Sequence, residues 1–82
     1  MGEVLGFPRI DPVDAQVGAR LRRWRTERHM DLDVLAHAVK VTPRDLQRME
    51  AGRQHLTSLQ MAAATDALHL PLWALVSDTR AY

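Results

Sequence analysis

The feature that most constrains this chain is its punctuation. Helix-start signals recur at Asp11-Pro12, Asp31, Thr42-Pro43, Thr57 or Ser58, and Pro71, and Gly52 supplies a stop. Asp, Ser and Thr accept a bond from an orphan backbone N–H, proline fits the first helical position, and glycine takes the left-handed conformation that ends a helix. Between these marks, apolar residues recur at helical spacing. Val13, Val17, Leu21 and Trp24 form one stripe on a helix running to about Arg28. Leu32, Leu35, Ala36 and Val39 give a second face over about 32–39, and Leu46 and Met49 point inward on a helix of about 43–51. Met61, Ala64, Thr65 and Leu68 do so on a fourth helix, and Leu72, Leu75 and Val76 on a short fifth. Arg53 to Thr57 reads as a loop with Leu56 tucked beneath it. No segment alternates as a strand would, and there is no internal repeat. The expected fold is therefore all-α: one compact five-helix domain over residues 11–78, a leader at 1–10 containing Gly2, Gly6 and Pro8, and a tail at 79–82.

Size and composition exclude several functions. A chain of 82 residues holds one small core. Cysteine is absent, which removes disulfides, thiolate metal sites and a thiol nucleophile. The longest apolar run, Leu70 to Val76, is far too short to span a bilayer, and residues 1–10 lack the basic and apolar regions of a secretory signal. A cytoplasmic protein without a membrane role is expected. His29, His37, His55 and His69 do not stand at zinc-binding spacing, so no metal site is expected. Asp31 and Asp33 sit at a helix start, where capping outweighs acid–base chemistry, and Ser58 and Ser77 lack a nucleophile elbow. Without a glycine-rich phosphate loop either, the sequence predicts neither an enzyme nor a cofactor.

Net charge is only +1, but the charge is unevenly placed. Arg20, Arg22, Arg23, Arg25 and Arg28 crowd one segment; Lys40, Arg44, Arg48 and Arg53 crowd another. Two such stretches can hold a polyanion locally. The second coincides with two short helices about three residues apart, the latter opened by Thr42-Pro43 and closed by Gly52. That pattern is a helix-turn-helix, whose second helix fits the DNA major groove. The helical period exposes Pro43, Arg44, Gln47 and Arg48 there, and Arg44 and Arg48 share a face. Arginine reads guanine in bidentate fashion and glutamine pairs with adenine. Arg20, Lys40 and Arg53 are expected phosphate contacts.

Val17-Gly18, Arg20-Leu21-Arg22, Leu35-Ala36, Val41-Thr42, Leu46-Gln47-Arg48-Met49-Glu50, Gly52 and Ala67-Leu68 together resemble the Cro/C1-type (XRE) helix-turn-helix family of transcriptional regulators. The pattern is most similar to alphaproteobacterial members and covers about residues 11–78. The resemblance implies a lambda-repressor-like domain of five helices, dimeric on a palindromic double-stranded DNA operator, with Pro43, Arg44, Gln47 and Arg48 at the base-reading positions and Thr42 on a phosphate. It also implies a salt bridge between Arg25 and Glu50. Chemistry points to the same pair, since a carboxylate at the negative end of a helix needs a cation. The sequence departs from the family pattern at Lys40, where a glycine is usual, at Leu32, often a DNA-touching glutamine, at Pro43, and at the acidic Asp45.

The segment Leu70 to Val76 is too apolar for one side of a short helix. Leu72, Trp73 and Val76 are accordingly expected at a homodimer contact. A second function class also fits the near-neutral charge and Asp45: a protein-interaction module of the same fold, antitoxin-like or anti-activator, with a protein partner and little DNA binding. Operator sequence, target genes and the sense of regulation are not legible in the chain.

Overall fold

The computed structural model describes residues 11–76. The expected leader 1–10 and tail 79–82, together with Ser77 and Asp78, lie outside them. Four α-helices follow one another: α1 (Pro12–Glu27), α2 (Leu32–Val39), α3 (Pro43–Glu50) and α4 (Ser58–Ala67). No strand occurs among the described residues. The fifth helix expected from the sequence is instead a single 3₁₀ turn, Leu72–Leu75. Its bonds run from Ala74 N–H to Pro71 carbonyl and from Val76 N–H to Trp73 carbonyl, at 2.9 and 3.0 Å. A segment this short closes i→i+3 bonds without nucleating an α-helix.

The start signals act as the residue types predict. Asp11 accepts from Val13 N–H at 2.8 Å and Thr42 from Asp45 N–H at 3.0 Å. Thr57, rather than Ser58, caps α4 in a reciprocal box: Thr57 Oγ1 accepts from Gln60 N–H while Gln60 Oε1 accepts from Thr57 N–H. Asp31 occupies the cap position of α2 but makes no side-chain capping bond.

The helix ends share a device that the sequence shows only once. His29, Lys40, Gly52 and His69 all have positive φ, between 55° and 78°. The N–H of the following residue reaches back five positions each time: Met30 to Arg25, Val41 to Ala36, Arg53 to Arg48, Leu70 to Thr65. This is the Schellman closure. Only α3 uses glycine for it. At the other three ends the residue after the left-handed position is Met30, Val41 or Leu70, and each packs against the core. That apolar contact offsets the roughly 1–2 kcal/mol that a side chain costs in the left-handed region.

Leu21, Leu35, Leu46, Met49, Leu56, Leu68 and Leu75 are fully buried and form one core. Helix α1 packs on α3 and on the 3₁₀ turn, α2 on both α3 and α4, and α4 on the 3₁₀ turn. The apolar stripe of α1 enters the core only in part. Val17 and Leu21 are buried, Trp24 lies at the core's edge, and Val13 is 62% exposed. Trp24 lies under the Arg23 and Arg28 guanidinium groups, 5.6 and 5.3 Å from the ring centroid. Arg28 also donates to the Leu68 carbonyl at 2.7 Å, tying α1 to the end of α4.

The tightest approach joins α1 to the end of α3. A Cβ on Gly18 would stand 2.1 Å from the Met49 carbonyl oxygen and 2.9 Å from that of Glu50. About two turns further along α1, Arg25 holds the Glu50 carboxylate with two bonds, Nε to Oε2 at 2.6 Å and Nη2 to Oε1 at 3.1 Å. Its remaining nitrogen donates to the Met30 carbonyl at 2.9 Å. The hydrogen bond to Glu50 raises the Arg25 pKa above its ordinary value, against the opposing pull of burial. Glu50 is only 9% exposed, so its charge depends on this partner.

Gly18→Ala is expected to destabilise the domain by at least about 1–3 kcal/mol, because backbone must move to admit the methyl. Thermal unfolding checks this, with a substitution at the exposed neighbour Ala19 as control. Arg25→Ala strands a buried carboxylate and is expected to cost about 3–5 kcal/mol, much of it recovered when Arg25 and Glu50 are replaced together by a packed apolar pair. A double-mutant cycle in urea reads the coupling.

Candidate nucleic-acid interface

Helices α2 and α3 with the turn between them form the helix-turn-helix. The turn is three residues. Lys40 takes φ 67° and ψ 43°, Val41 anchors against the core, and extended Thr42 starts α3. The lysine at the position where relatives usually place glycine therefore keeps the left-handed geometry rather than changing the turn.

Helix α3 divides along its length. Leu46, Met49 and Glu50 are buried, while Pro43, Arg44, Gln47 and Arg48 are exposed. These four polar or ring-bearing side chains stand together on the outward side of a helix whose back is fixed by core packing and by the Glu50–Arg25 pair. Asp45 Oδ1, partly buried, lies 3.6 Å from Nη1 of the exposed Arg48, within one turn of the helix.

Three of the residues expected on phosphates surround α3. Lys40 precedes it and is exposed, and Thr42 is its capping residue. Arg53 follows it and is exposed, its own N–H closing the helix on the Arg48 carbonyl at 2.8 Å. Arg20 is placed differently. It is half-buried on α1 and donates to the Leu75 carbonyl at 3.3 Å, so it carries a structural task as well. Leu72, Trp73 and Val76 lie on the 3₁₀ turn and just after it, 54%, 49% and 53% exposed, and beside them Ala74 and Leu75 are buried.

One feature of this face has only a faint signature in the sequence. A hollow of about 300 Å³ opens where α1, the start of α2 and α3 meet, lined by Arg22, Arg25, Leu32, Gln47, Glu50 and Ala51. The signal was present as the spacing of Arg22 and Arg25, three apart on one side of α1. The direction of that side was not readable from periodicity alone. Among the described residues no group of three or more His, Asp or Glu is placed to hold a metal ion, and no helix is long and apolar enough to cross a membrane.

Comparison with known proteins accords with this geometry. A curated relative from Rhodospirillum rubrum, an uncharacterized transcriptional regulator in the ATPase CF(0) region, is 33% identical over 69 residues, covering 84% of this chain. The chain spans 64% of that relative's length. The crystal structure of the clp gene regulator ClgR from Corynebacterium glutamicum superposes with a TM-score of 0.76 at 28% identity, over 82% of this chain and 71% of ClgR. The restriction-modification controller protein C.AhdI from Aeromonas hydrophila shares the fold, with a TM-score of 0.71 at 21% identity over 76% of this chain and 94% of its own. The family model described as a helix-turn-helix domain matches residues 16–72, and the chain belongs to that family, in its Cro/C1 (XRE) type.

Proposed function

We propose that this protein binds double-stranded DNA sequence-specifically and regulates transcription, with α3 in the major groove. The observation that carries the reading is the division of α3 into a fixed back and an outward face of Pro43, Arg44, Gln47 and Arg48. A groove-reading helix must be rigid where it is buried and free where it reads. Arg44 and Arg48 supply guanine readers and Gln47 an adenine reader. Lys40, Thr42 and Arg53 engage phosphates and set the register, with Arg20 as a further phosphate contact. The protein acts by binding rather than by catalysis, in the cytoplasm and on the nucleoid.

The active form is a homodimer on a palindromic operator. Leu72, Trp73 and Val76 support this, since an exposed apolar patch on a small domain favours a self-complementary contact.

Selection from random duplexes followed by footprinting tests the reading. Two half-sites with centres about 10 base pairs apart are expected. A protein that selects no sequence would overturn it. Arg44→Ala or Arg48→Ala is expected to cost about 1–3 kcal/mol and to relax preference at one base position. Lys40→Gly separates fold from function: it relieves the left-handed lysine and raises stability by about 1 kcal/mol, yet weakens binding to all sequences. Melting curves and binding isotherms on the same variant check both signs. Trp73→Glu is expected to shift the protein towards monomer in analytical ultracentrifugation while leaving the helical content intact.

A further inference from the structure

The hollow between α1 and α3 has an unbalanced charge. Arg25 and Glu50 neutralise each other within it, and all three Arg25 nitrogens are bonded. Leu32 contributes only apolar surface and Ala51 no charge. That leaves Arg22, which is exposed and has no hydrogen bond or ion pair among the described residues. It faces the same hollow as Gln47, one of the outward residues of α3. A long cation beside a glutamine amide, above a neutralised ion pair, forms a shallow acceptor for one anionic group.

We infer that Arg22 is a DNA-backbone anchor and that this hollow receives a phosphate of the strand flanking α3. The inference rests on the reading of α3 as the groove helix, and it deepens that reading. With α3 in the groove, the strand bordering it passes the side from which Gln47 projects, and the hollow opens there. Arg25 cannot serve, since its guanidinium is committed to Glu50 and the Met30 carbonyl. Leu32 has no donor. Arg22 is thus the cation of α1 that meets this border. A single phosphate contact adds affinity without sequence information and releases about one condensed counterion.

The test is the salt dependence of binding by the full chain to its selected operator, with Arg22→Gln and Arg22→Lys beside the wild type. Arg22→Gln is expected to flatten the slope of log affinity against log salt by about 0.9. Between about 50 and 200 mM salt the wild type then loses about 3-fold more affinity than the variant. The preferred sequence and the melting temperature should not change, since Arg22 is exposed and bonded to nothing described. Arg22→Lys should restore most of the slope, because a point charge suffices for counterion release. An unchanged slope in Arg22→Gln, with the wild type binding its operator normally, overturns the anchor while leaving the proposed function standing. A changed base preference would make Arg22 a reader and also overturn it. Inorganic phosphate, titrated without DNA and followed by the amide shifts of Arg22 and Gln47, gives the other arm: saturation there with an unchanged slope on DNA marks a small-anion site instead. A wild type that binds no DNA removes the proposed function itself, and the anchor with it.

Discussion

The whole arrangement depends on the closeness of α1 to the carboxy-terminal end of α3. Gly18 allows the backbones to meet, because any side chain there would collide with the Met49 and Glu50 carbonyls. The same contact puts Glu50 within reach of Arg25, which cancels a carboxylate at the negative end of its own helix. Gly52 completes the corner: its φ is 78° and a Cβ would stand 2.7 Å from Ala15 Cα. Beyond it, the loop is tied back to α1 by His55 Nδ1 and Asp14 Oδ1, 2.8 Å apart. Helix α3 is too short to persist alone. Its rigidity is borrowed from α1, and so is the orientation of everything it displays.

Most helix starts were legible because capping is chemistry of one or two residues. Asp11-Pro12, Thr42-Pro43 and Thr57 each carry their own signal. Helix ends were less legible. Gly52 announced itself, but His29, Lys40 and His69 adopt the same backbone without glycine, driven by the burial of Met30, Val41 and Leu70. That energy comes from tertiary packing, which a local window does not contain. The last segment shows the complementary difficulty. Leu70 to Val76 reads as helical by composition, yet its only helical part is one 3₁₀ turn, which buries Ala74 and Leu75 while Leu72, Trp73 and Val76 stay outward.

The outward face of α3 could be read from the helical period, since burying Leu46 and Met49 fixes where Arg44, Gln47 and Arg48 point. Direction on the long helix was harder to obtain. Arg20, Arg22 and Arg25 are close in sequence, yet Arg20 reaches the 3₁₀ turn, Arg25 reaches α3, and Arg22 faces the hollow beside Gln47. Each residue rotates about 100° around the helix axis, so these three meet different neighbours, and charge clustering in sequence does not say which.

The split of α3 also separates two kinds of inheritance. The buried side, Leu46, Met49 and Glu50, is locked to Gly18, Arg25 and the core, so a change there must be answered elsewhere in the chain. The start of the helix is held by Thr42 and by Pro43 at its first position, whereas Arg44, Gln47 and Arg48 are exposed side chains. Their identities can drift while the scaffold stays as it is. A duplicated copy of such a domain could acquire a new target by a few point changes on one face, and descendants of one ancestor could diverge in what they recognise long before they diverge in shape.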